Sequence, residues 1–261
     1  MKKLLKSLFL RFWAFVCPND DGKVIFYHDV GVKYSRMGTP VEMFKAHVAA
    51  ARAKGYRYVK RLEELQGEKG RKTLLLCFDD GFRGVWDERA YFKKEGLCPT
   101  VFVAVGLIGT TGHLTWNEIL ELQSKYGFVF ESHTWSHQTL SGAYLRESPK
   151  EERTDEWFRR ELFESRKVLS DRLGKDVTVL CLPDGCFCDD VANRCKEAGY
   201  LRLFASYPDT RYDGCLIPRH LVQSASPKDF VCILRGALMP LKNFYLEQHR
   251  GSIAQKCESC I

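Results

Sequence analysis

The sequence predicts an α/β fold, a (β/α) barrel of about seven strands in a single domain. From Val24 onward, short apolar runs alternate with helical stretches, and strands connected in this way pair in parallel. The run Thr73–Phe78 is apolar at almost every position, which is typical of a strand buried on both faces. About seven such units without an intervening linker favour a closed barrel over an open sheet.

The individual elements follow from apolar runs and from capping sequences. Strands are predicted at Val24–Tyr27, Tyr56–Val59, Thr73–Phe78, Thr100–Val105, Phe128–Phe130, Val177–Leu182, Leu201–Ala205 and Leu216–Val222. Helix starts are predicted at Thr39-Pro40-Val41-Glu42, Thr115-Trp116-Asn117-Glu118 and Ser226-Pro227-Lys228-Asp229. A further helix over Glu151–Gly174 is indicated by the apolar stripe Phe158, Leu162, Leu169 and Leu173.

Composition and charge narrow the class of protein. Of the 261 residues, 45% are hydrophobic and 28% charged, which excludes a disordered chain. The net charge of +7 is uneven: residues 1–72 hold 16 basic and 7 acidic side chains, and residues 73–261 hold 24 and 26. No zinc-finger, RNP or basic-zipper pattern accompanies the basic part, so no nucleic-acid partner is predicted.

The first sixteen residues, Met1–Val16, contain four Lys or Arg residues and no acid. Because Lys6-Ser7 and Arg11 interrupt the apolar groups and no small-x-small site follows, a cleaved signal peptide fits poorly. A basic amphipathic helix in peripheral contact with an anionic membrane and an ordinary helix packed on the domain both fit better. We predict three parts: a basic N-terminal segment over residues 1–23, the barrel over 24–240 and a C-terminal tail over 241–261.

Eleven cysteines are a high and odd number, and several lie inside apolar runs. A secreted chain tends to pair its thiols, so buried thiols in a reducing compartment are the simpler interpretation. We predict a cytoplasmic location, peripheral at the inner membrane face if residues 1–16 contact lipid. Cys257 and Cys260 form a C-x-x-C pair in the polar tail but have no second pair with which to build a structural zinc site.

Three strand ends carry residues suited to chemistry, and in a (β/α) barrel such ends share one face. Asp79 and Asp80 follow the strand Thr73–Phe78, where adjacent carboxylates repel each other unless a cation neutralises one. His133 and His137 follow a later strand, and their spacing predicts that both lie on one face of a helical turn. One Asp and two His leave a coordination position open for water, as in catalytic zinc sites.

The third strand end is Leu182-Pro183-Asp184-Gly185, a turn whose backbone N–H groups are predicted to face a developing oxyanion or the substrate. Each of the three patterns by itself also fits an ordinary turn or a surface helix. The functional interpretation depends on their occurring together, each directly after a strand.

These patterns resemble those of the NodB-homology polysaccharide deacetylases. The resembling motifs are Cys77-Phe78-Asp79-Asp80-Gly81-Phe82, Ser132-His133-Thr134-Trp135-Ser136-His137 and Leu182-Pro183-Asp184-Gly185, within a resemblance that extends from about Val24 to Leu234. It implies an irregular (β/α) barrel and a general base at Asp79. It also implies that Asp80, His133 and His137 hold a divalent metal, for which the donor set favours zinc.

The proton donor has two candidates. The segment Val24–Val30 resembles the N-terminal strand of the subgroup that acts on poly-N-acetylglucosamine, whose elements are circularly permuted, and this implies that His28 is the catalytic acid. The alternative is His220, the single candidate for the family's late histidine motif. We favour His28, because it ends an apolar strand at the barrel mouth, whereas His220 lies in a strand of mixed polarity where side chains alternate.

The third motif departs from the family pattern. The family usually has an Arg two residues before the Pro and an aromatic residue just after it, where this chain has Cys181 and Asp184. A carboxylate beside an oxyanion opposes the charge being stabilised unless it points away or binds a sugar hydroxyl.

Together the residues and the resemblance predict a metal-dependent hydrolase that removes the acetyl group from an N-acetylated glycan and releases acetate. Two alternatives stay open. One is a glycan-binding barrel with little or no turnover, and the other is the same amidase chemistry on a non-sugar amide.

Overall fold

A computed structural model describes residues 2–16, 18–140, 153–185, 188–205 and 215–237, with side chains from Ser7 onward. The strands are β1 Lys23–Tyr27, β2 Asp29–Val30, β3 Gly38–Thr39, β4 Arg57–Val59, β5 Thr73–Phe78, β6 Thr100–Val103, β7 Val129–Ser132, β8 Val179–Cys181, β9 Arg202–Ala205 and β10 Leu216–Leu221. The α-helices are α1 Lys2–Val16, α2 Val41–Ala53, α3 Gly84–Asp87, α4 Arg89–Lys94, α5 Trp116–Tyr126, α6 Asp155–Phe158, α7 Ser165–Leu173, α8 Asp189–Glu197 and α9 Pro227–Leu234.

Seven parallel strands close into a barrel. Around the ring they follow the order β1-β10-β9-β8-β7-β6-β5, and β5 pairs with β1 to complete the closure. The short strand β4 pairs with the beginning of β5 outside the ring, and β2 pairs with β3 in a separate two-stranded sheet. The predicted (β/α) barrel of about seven strands in a single domain is confirmed.

Side chains alternate along each strand and so separate two apolar clusters. The barrel interior is filled by Val24, Phe26, Leu75, Cys77, Phe102, Cys181 and Phe204, and Val59 of β4 packs against this cluster. The outward faces of the strands pack beneath the helices in a larger core. The residue just beyond a strand keeps the alternation of that strand. Asp79, two residues after the inward-facing Cys77, and His28, two residues after Phe26, therefore also point inward, at the carboxyl end of the barrel. This alternation brings polar side chains to one mouth.

Two of the three predicted helix caps are confirmed. The side chains of Thr115 and Ser226 each accept the backbone N–H three residues further on, at the start of α5 and α9. The cap predicted at Thr39 is wrong, because that residue belongs to β3 and its hydroxyl donates to the carbonyl of Gln223 at 3.3 Å. Because β3 pairs with β2, Thr39 is part of the two-stranded sheet, and α2 begins without a side-chain cap.

Helix α1 packs beside α9. Leu10 and Ala14 are buried in the main core, and the Ser7 hydroxyl donates to Asp229 Oδ1 at 2.6 Å. Among the described residues, no helix has the length and apolar character needed to cross a membrane. Residues 241–261, predicted as a tail that includes Cys257 and Cys260, lie outside the described part of the chain.

Candidate active site

Asp80, His133 and His137 converge at the carboxyl end of the barrel. Asp80 Oδ1 lies 3.3 Å from Nε2 of His133 and 3.0 Å from Nε2 of His137. One ligand atom from each of the three residues lies within 4.8 Å of the others. The structure therefore brings together the three side chains that the sequence indicated as metal ligands.

The hydrogen bonds around this cluster test whether it suits a metal. His133 Nδ1 lies 2.7 Å from the carbonyl oxygen of Cys181, which can only accept, so that nitrogen carries the proton of the neutral ring. His133 Nε2 then directs a lone pair at Asp80 Oδ1, a buried oxygen without a hydrogen-bond partner. A lone pair and a carboxylate oxygen repel at this distance unless a cation lies between them, so the residues fit a divalent metal.

The segment that joins the two histidines is a loop. The prediction of a helical turn is wrong, because β7 ends at Ser132 and the residues that follow are not helical. Thr134 and His137 have φ values of 68° and 61°, in the left-handed region that residues other than glycine adopt at a cost. A loop of this kind needs contacts that hold it in place.

Glu161, in the helical segment that joins α6 to α7, provides such contacts. Its buried Oε2 accepts the backbone N–H of Trp135 at 3.0 Å and of Ser136 at 2.9 Å, between the two histidines. Glu161 lies in a π-helical turn, Arg159–Glu164, that joins α6 to α7. Such turns are rare and occur frequently at functional sites. The sequence showed only an amphipathic helix here, and no local signal set this Glu apart from the surrounding charges.

Asp79, the neighbour of the ligand Asp80, is paired with a buried arginine. Arg219 Nη1 donates to Asp79 Oδ1 at 2.6 Å and Nη2 donates to Oδ2 at 2.9 Å. The guanidinium also lies over the ring of Phe26, with Cζ 4.0 Å from the ring centroid. Burial raises the pKa of Asp79, but the Arg219 charge, together with His133 and the hydrogen bonds from Arg219, lowers it below its ordinary value. The carboxylate therefore stays ionised.

Arg219 is the residue that sequence reasoning missed. Cys181 occupies the position where the family usually has arginine, and its Sγ lies 3.8 Å from Asp79 Oδ1. The arginine beside Asp79 comes instead from β10, which β9 separates from β8 in the ring. In the sequence, alternation shows only that Arg219 shares a face of its strand with Ile217, and the structure shows that this face points into the barrel.

The two candidate proton donors lie on opposite faces of the barrel wall. His28 continues the inward column of β1, and its Nδ1 lies 2.8 Å from Gln223 Oε1. His220 follows the inward-facing Arg219, so alternation turns it outward, where it is buried and opposite Ile25 of the outer core. The structure places His28, and not His220, at the mouth with the Asp–His cluster.

The third motif forms a tight turn, Pro183–Gly185, with Asp184 in the left-handed region at φ 58°. Proline has no N–H, and the N–H of Gly185 donates to the carbonyl of Leu182 at 2.9 Å. Pro183 therefore offers no N–H to a substrate, and the N–H of Gly185 is used within the turn.

The side chain of Asp184 is directed toward the metal loop, the loop after β7 that carries His133 and His137. It is exposed and accepts a hydrogen bond from the hydroxyl of Thr139, two residues after His137. Burial lowers the pKa of His137, but Asp80 and, more weakly, Asp184 raise it above its ordinary value. The additional carboxylate thus belongs to the rim of the site.

A parallel (β/α) barrel with an Asp–His–His cluster and a buried carboxylate at its mouth defines a class of barrel proteins whose mouth residues fit a divalent metal. The family described as polysaccharide deacetylase matches residues 66–203, more than half of the chain. The chain belongs to the polysaccharide deacetylase family. None of the curated proteins matches it.

Solved structures share the fold. IcaB from Ammonifex degensii is 22% identical, with a TM-score of 0.69 over 84% of this chain and 98% of that one. The Streptococcus pyogenes deacetylase PplD in complex with acetate is 18% identical, with a TM-score of 0.65 over 82% and 97%. A de-N-acetylase from Aggregatibacter actinomycetemcomitans is 17% identical, with a TM-score of 0.67 over 82% and 100%. At these identities the likeness concerns the fold.

Proposed function

We propose that this protein is a metal-dependent deacetylase that hydrolyses the N-acetyl group of a sugar within a glycan and releases acetate. The observation that carries the proposal is the different partnering of two adjacent carboxylates. Asp80 faces two imidazoles, and Asp79 faces an arginine. One carboxylate is thus equipped to bind a cation and the other to accept a proton. Membership of the polysaccharide deacetylase family supports an N-acetylated glycan as the substrate.

Asp80, His133 and His137 would hold the metal, and two imidazoles with one carboxylate suit zinc. When bound there, the ion supplies a Lewis acid that polarises the acetyl carbonyl and makes water more acidic. The carbonyl of Cys181 fixes the tautomer of His133, and Glu161 fixes the loop that carries His137. These contacts orient the ligands before any ion arrives.

Asp79 is the proposed general base. Its task is to take the proton of the attacking water, which requires that the carboxylate be ionised and correctly oriented. The two parallel bonds from Arg219 meet both needs, because they favour the charged form and fix the plane of the carboxylate. The attack adds the water oxygen to the acetyl carbon, and we propose that the turn Pro183–Gly185 faces the oxyanion that forms.

His28 is the proposed general acid. The C–N bond breaks only if the nitrogen is protonated, since an amide anion is too basic to leave. A proton on His28 Nδ1 donated to Gln223 Oε1 leaves Nε2 to deliver a second proton to the amine. The exposed carboxylate of Asp184 is proposed to bind a sugar hydroxyl at the rim, where it meets Thr139.

The cysteines support a cytoplasmic location for this activity. Seven described cysteines are free thiols, and Cys77, Cys181, Cys188 and Cys195 among them are buried. A reducing compartment keeps such thiols free.

The test is acetate release from a panel of N-acetylated glycans and non-sugar amides, before and after removal of metal. We expect release from at least one glycan, loss of release on chelation, and recovery when zinc is added back. Binding of a glycan without release would indicate a binding barrel. Release from non-sugar amides alone would overturn the substrate class while keeping the chemistry.

A further inference from the structure

Helix α1 carries apolar side chains on two different sides. Leu10 and Ala14, four residues apart, are buried in the core. Leu8, Phe12 and Phe15 are exposed by 55%, 59% and 82% and follow one another at spacings of four and three residues. Those spacings place the three exposed side chains on one face of the helix. The helix thus uses one side for packing and leaves an apolar stripe in solvent.

The charged residues of α1 itself are all basic. Residues 1–16 contain Lys2, Lys3, Lys6 and Arg11 and no Asp or Glu, and Arg11 is exposed. A helix with aromatic and aliphatic side chains on one face and only cations among its charges is suited to lie at the surface of an anionic membrane. With 15 residues, α1 spans about 22 Å, less than the thickness of the hydrocarbon core.

The position of α1 on the barrel determines how the barrel would be oriented on a membrane surface. Ser7 bonds Asp229 in the first turn of α9, and the N–H of Asn19 donates to the carbonyl of Arg235 just beyond the end of α9. Because α9 follows β10, it begins near the mouth, and α1 runs beside it from that end toward the other. A helix lying flat at a membrane therefore places the barrel on its side, with the mouth opening along the lipid surface.

We propose that the exposed stripe of α1, formed by Leu8, Phe12 and Phe15 with the adjacent exposed Val16, docks the protein on the surface of an anionic phospholipid membrane. Charge decides against two other occupants. A second copy would bring one set of cations against an identical set. Residues 238–261 hold three basic and two acidic side chains, so they offer no net negative charge. Anionic lipid headgroups supply the complementary charge, and their acyl chains accept the aromatic side chains.

The test is co-sedimentation of the full chain with vesicles of equal parts phosphatidylglycerol and phosphatidylcholine, compared with phosphatidylcholine alone. We expect binding to the anionic vesicles at least about tenfold stronger. It should weaken in about 0.5 M NaCl, where the Debye length is about 4 Å. The variant Phe12→Glu/Phe15→Glu should stay in the supernatant, and Leu8→Glu should bind more weakly. The matched control is Leu201→Glu, at a residue 60% exposed away from α1, which should bind as the wild type does.

Circular dichroism and metal content confirm that each variant folds, and acetate release separates this proposal from the proposed function. A wild type that stays in the supernatant with anionic vesicles overturns the proposal, as does equal binding by the wild type and Phe12→Glu/Phe15→Glu. A wild-type dimer that ignores vesicles and becomes a monomer in that variant would identify the stripe as a self-association surface instead.

Discussion

Two buried carboxylates at opposite ends of the barrel are paired with cations in different ways. At the mouth, Asp79 accepts two parallel bonds from Arg219, whose side chain is 2% exposed. At the other end, Glu131 pairs with the amino group of Lys175, which is 31% exposed, and accepts the N–H of Val179 at 3.3 Å. Burial raises the pKa of Glu131 and outweighs Lys175, whereas at Asp79 the arginine outweighs burial and the pKa falls.

The difference shows what a buried base at the mouth requires. A flexible ammonium at the surface shares its charge with water and compensates only part of the cost of burial. A planar guanidinium inside the barrel donates to both oxygens at once and is screened by no solvent. The pair at the mouth maintains an ionised, oriented carboxylate, while the pair at the opposite end is a partly solvated structural contact.

The largest effect is expected from removing Arg219, the cation at the mouth, and removal of Lys175 at the other end is its control. Arg219→Met leaves Asp79 buried without its partner, so we expect a loss of about 3–5 kcal/mol in the free energy of unfolding. Acetate release should fall about 10²–10⁴-fold as the carboxylate loses charge and orientation. Lys175→Met should cost about 1 kcal/mol and leave activity unchanged.

Urea unfolding and acetate release measure both variants, and Arg219→Lys, which keeps a charge without the fork, should fall between Arg219→Met and the wild type. Equal effects of Arg219→Met and Lys175→Met would remove the distinction between the two ends.

A second effect concerns His28, the proposed proton donor at the mouth. His28→Ala should lower acetate release about 10²–10⁴-fold, with metal content unchanged and the alkaline limb of the pH–rate profile gone, because the leaving amine loses its proton donor. Stability should change little, since His28 is only half-buried. His220→Ala is the control: it should cost stability, because it leaves a space beneath the helices. If His220→Ala shows the kinetic change and His28→Ala is merely less stable, the late-motif alternative holds.

A smaller effect is expected at Glu161, a third buried carboxylate, which has two N–H donors on the metal loop. Glu161→Gln weakens both charge-assisted bonds, so metal affinity should fall about 10–100-fold while the barrel still folds. Glu118→Gln is the control, because Glu118 also accepts a backbone N–H, at the cap of α5. Metal titration of both variants distinguishes them. Unchanged affinity in Glu161→Gln would mean that the loop holds its shape without this carboxylate.

The smallest effect is a pH dependence at Glu131. Its pKa in the folded protein is above the ordinary value of 4.5, so the folded state holds the proton more tightly than the unfolded chain does. The stability of the wild type relative to Glu131→Gln should therefore decrease as the pH rises through 4.5 toward the folded pKa. Urea unfolding of both proteins over this range gives the slope. A relative stability that rises with pH would show that Lys175 outweighs burial after all.

Much of the fold was readable from local patterns. All eight predicted strands correspond to β1 and β4–β10. Each of them is a short apolar run between turn or cap signals. The loop prediction failed at His137, because an i, i+4 spacing fits a helical turn and also a loop with two left-handed residues. The helix cap predicted at Thr39 is wrong because Thr39 pairs with Val30 of β2, and no local sequence pattern indicates that pairing.

The site was predictable where its residues lie in short motifs shortly after a strand, Asp79 and Asp80 after β5 and His133 and His137 after β7. These four residues were identified together. Arg219 is 140 positions from Asp79, and only closure of the ring and the inward register of β10 bring them together. Glu161 depends in the same way on a π-helical turn that no residue pattern announces.

The measurement that tests the central claim most directly is the metal content of the purified protein and of two variants. The account predicts close to one divalent ion per chain in the wild type and in Asp79→Asn, which removes the proposed base but no ligand. It predicts little or none in His133→Ala/His137→Ala, which removes two of the three ligands. Equal metal content in the wild type and the double histidine variant would contradict it.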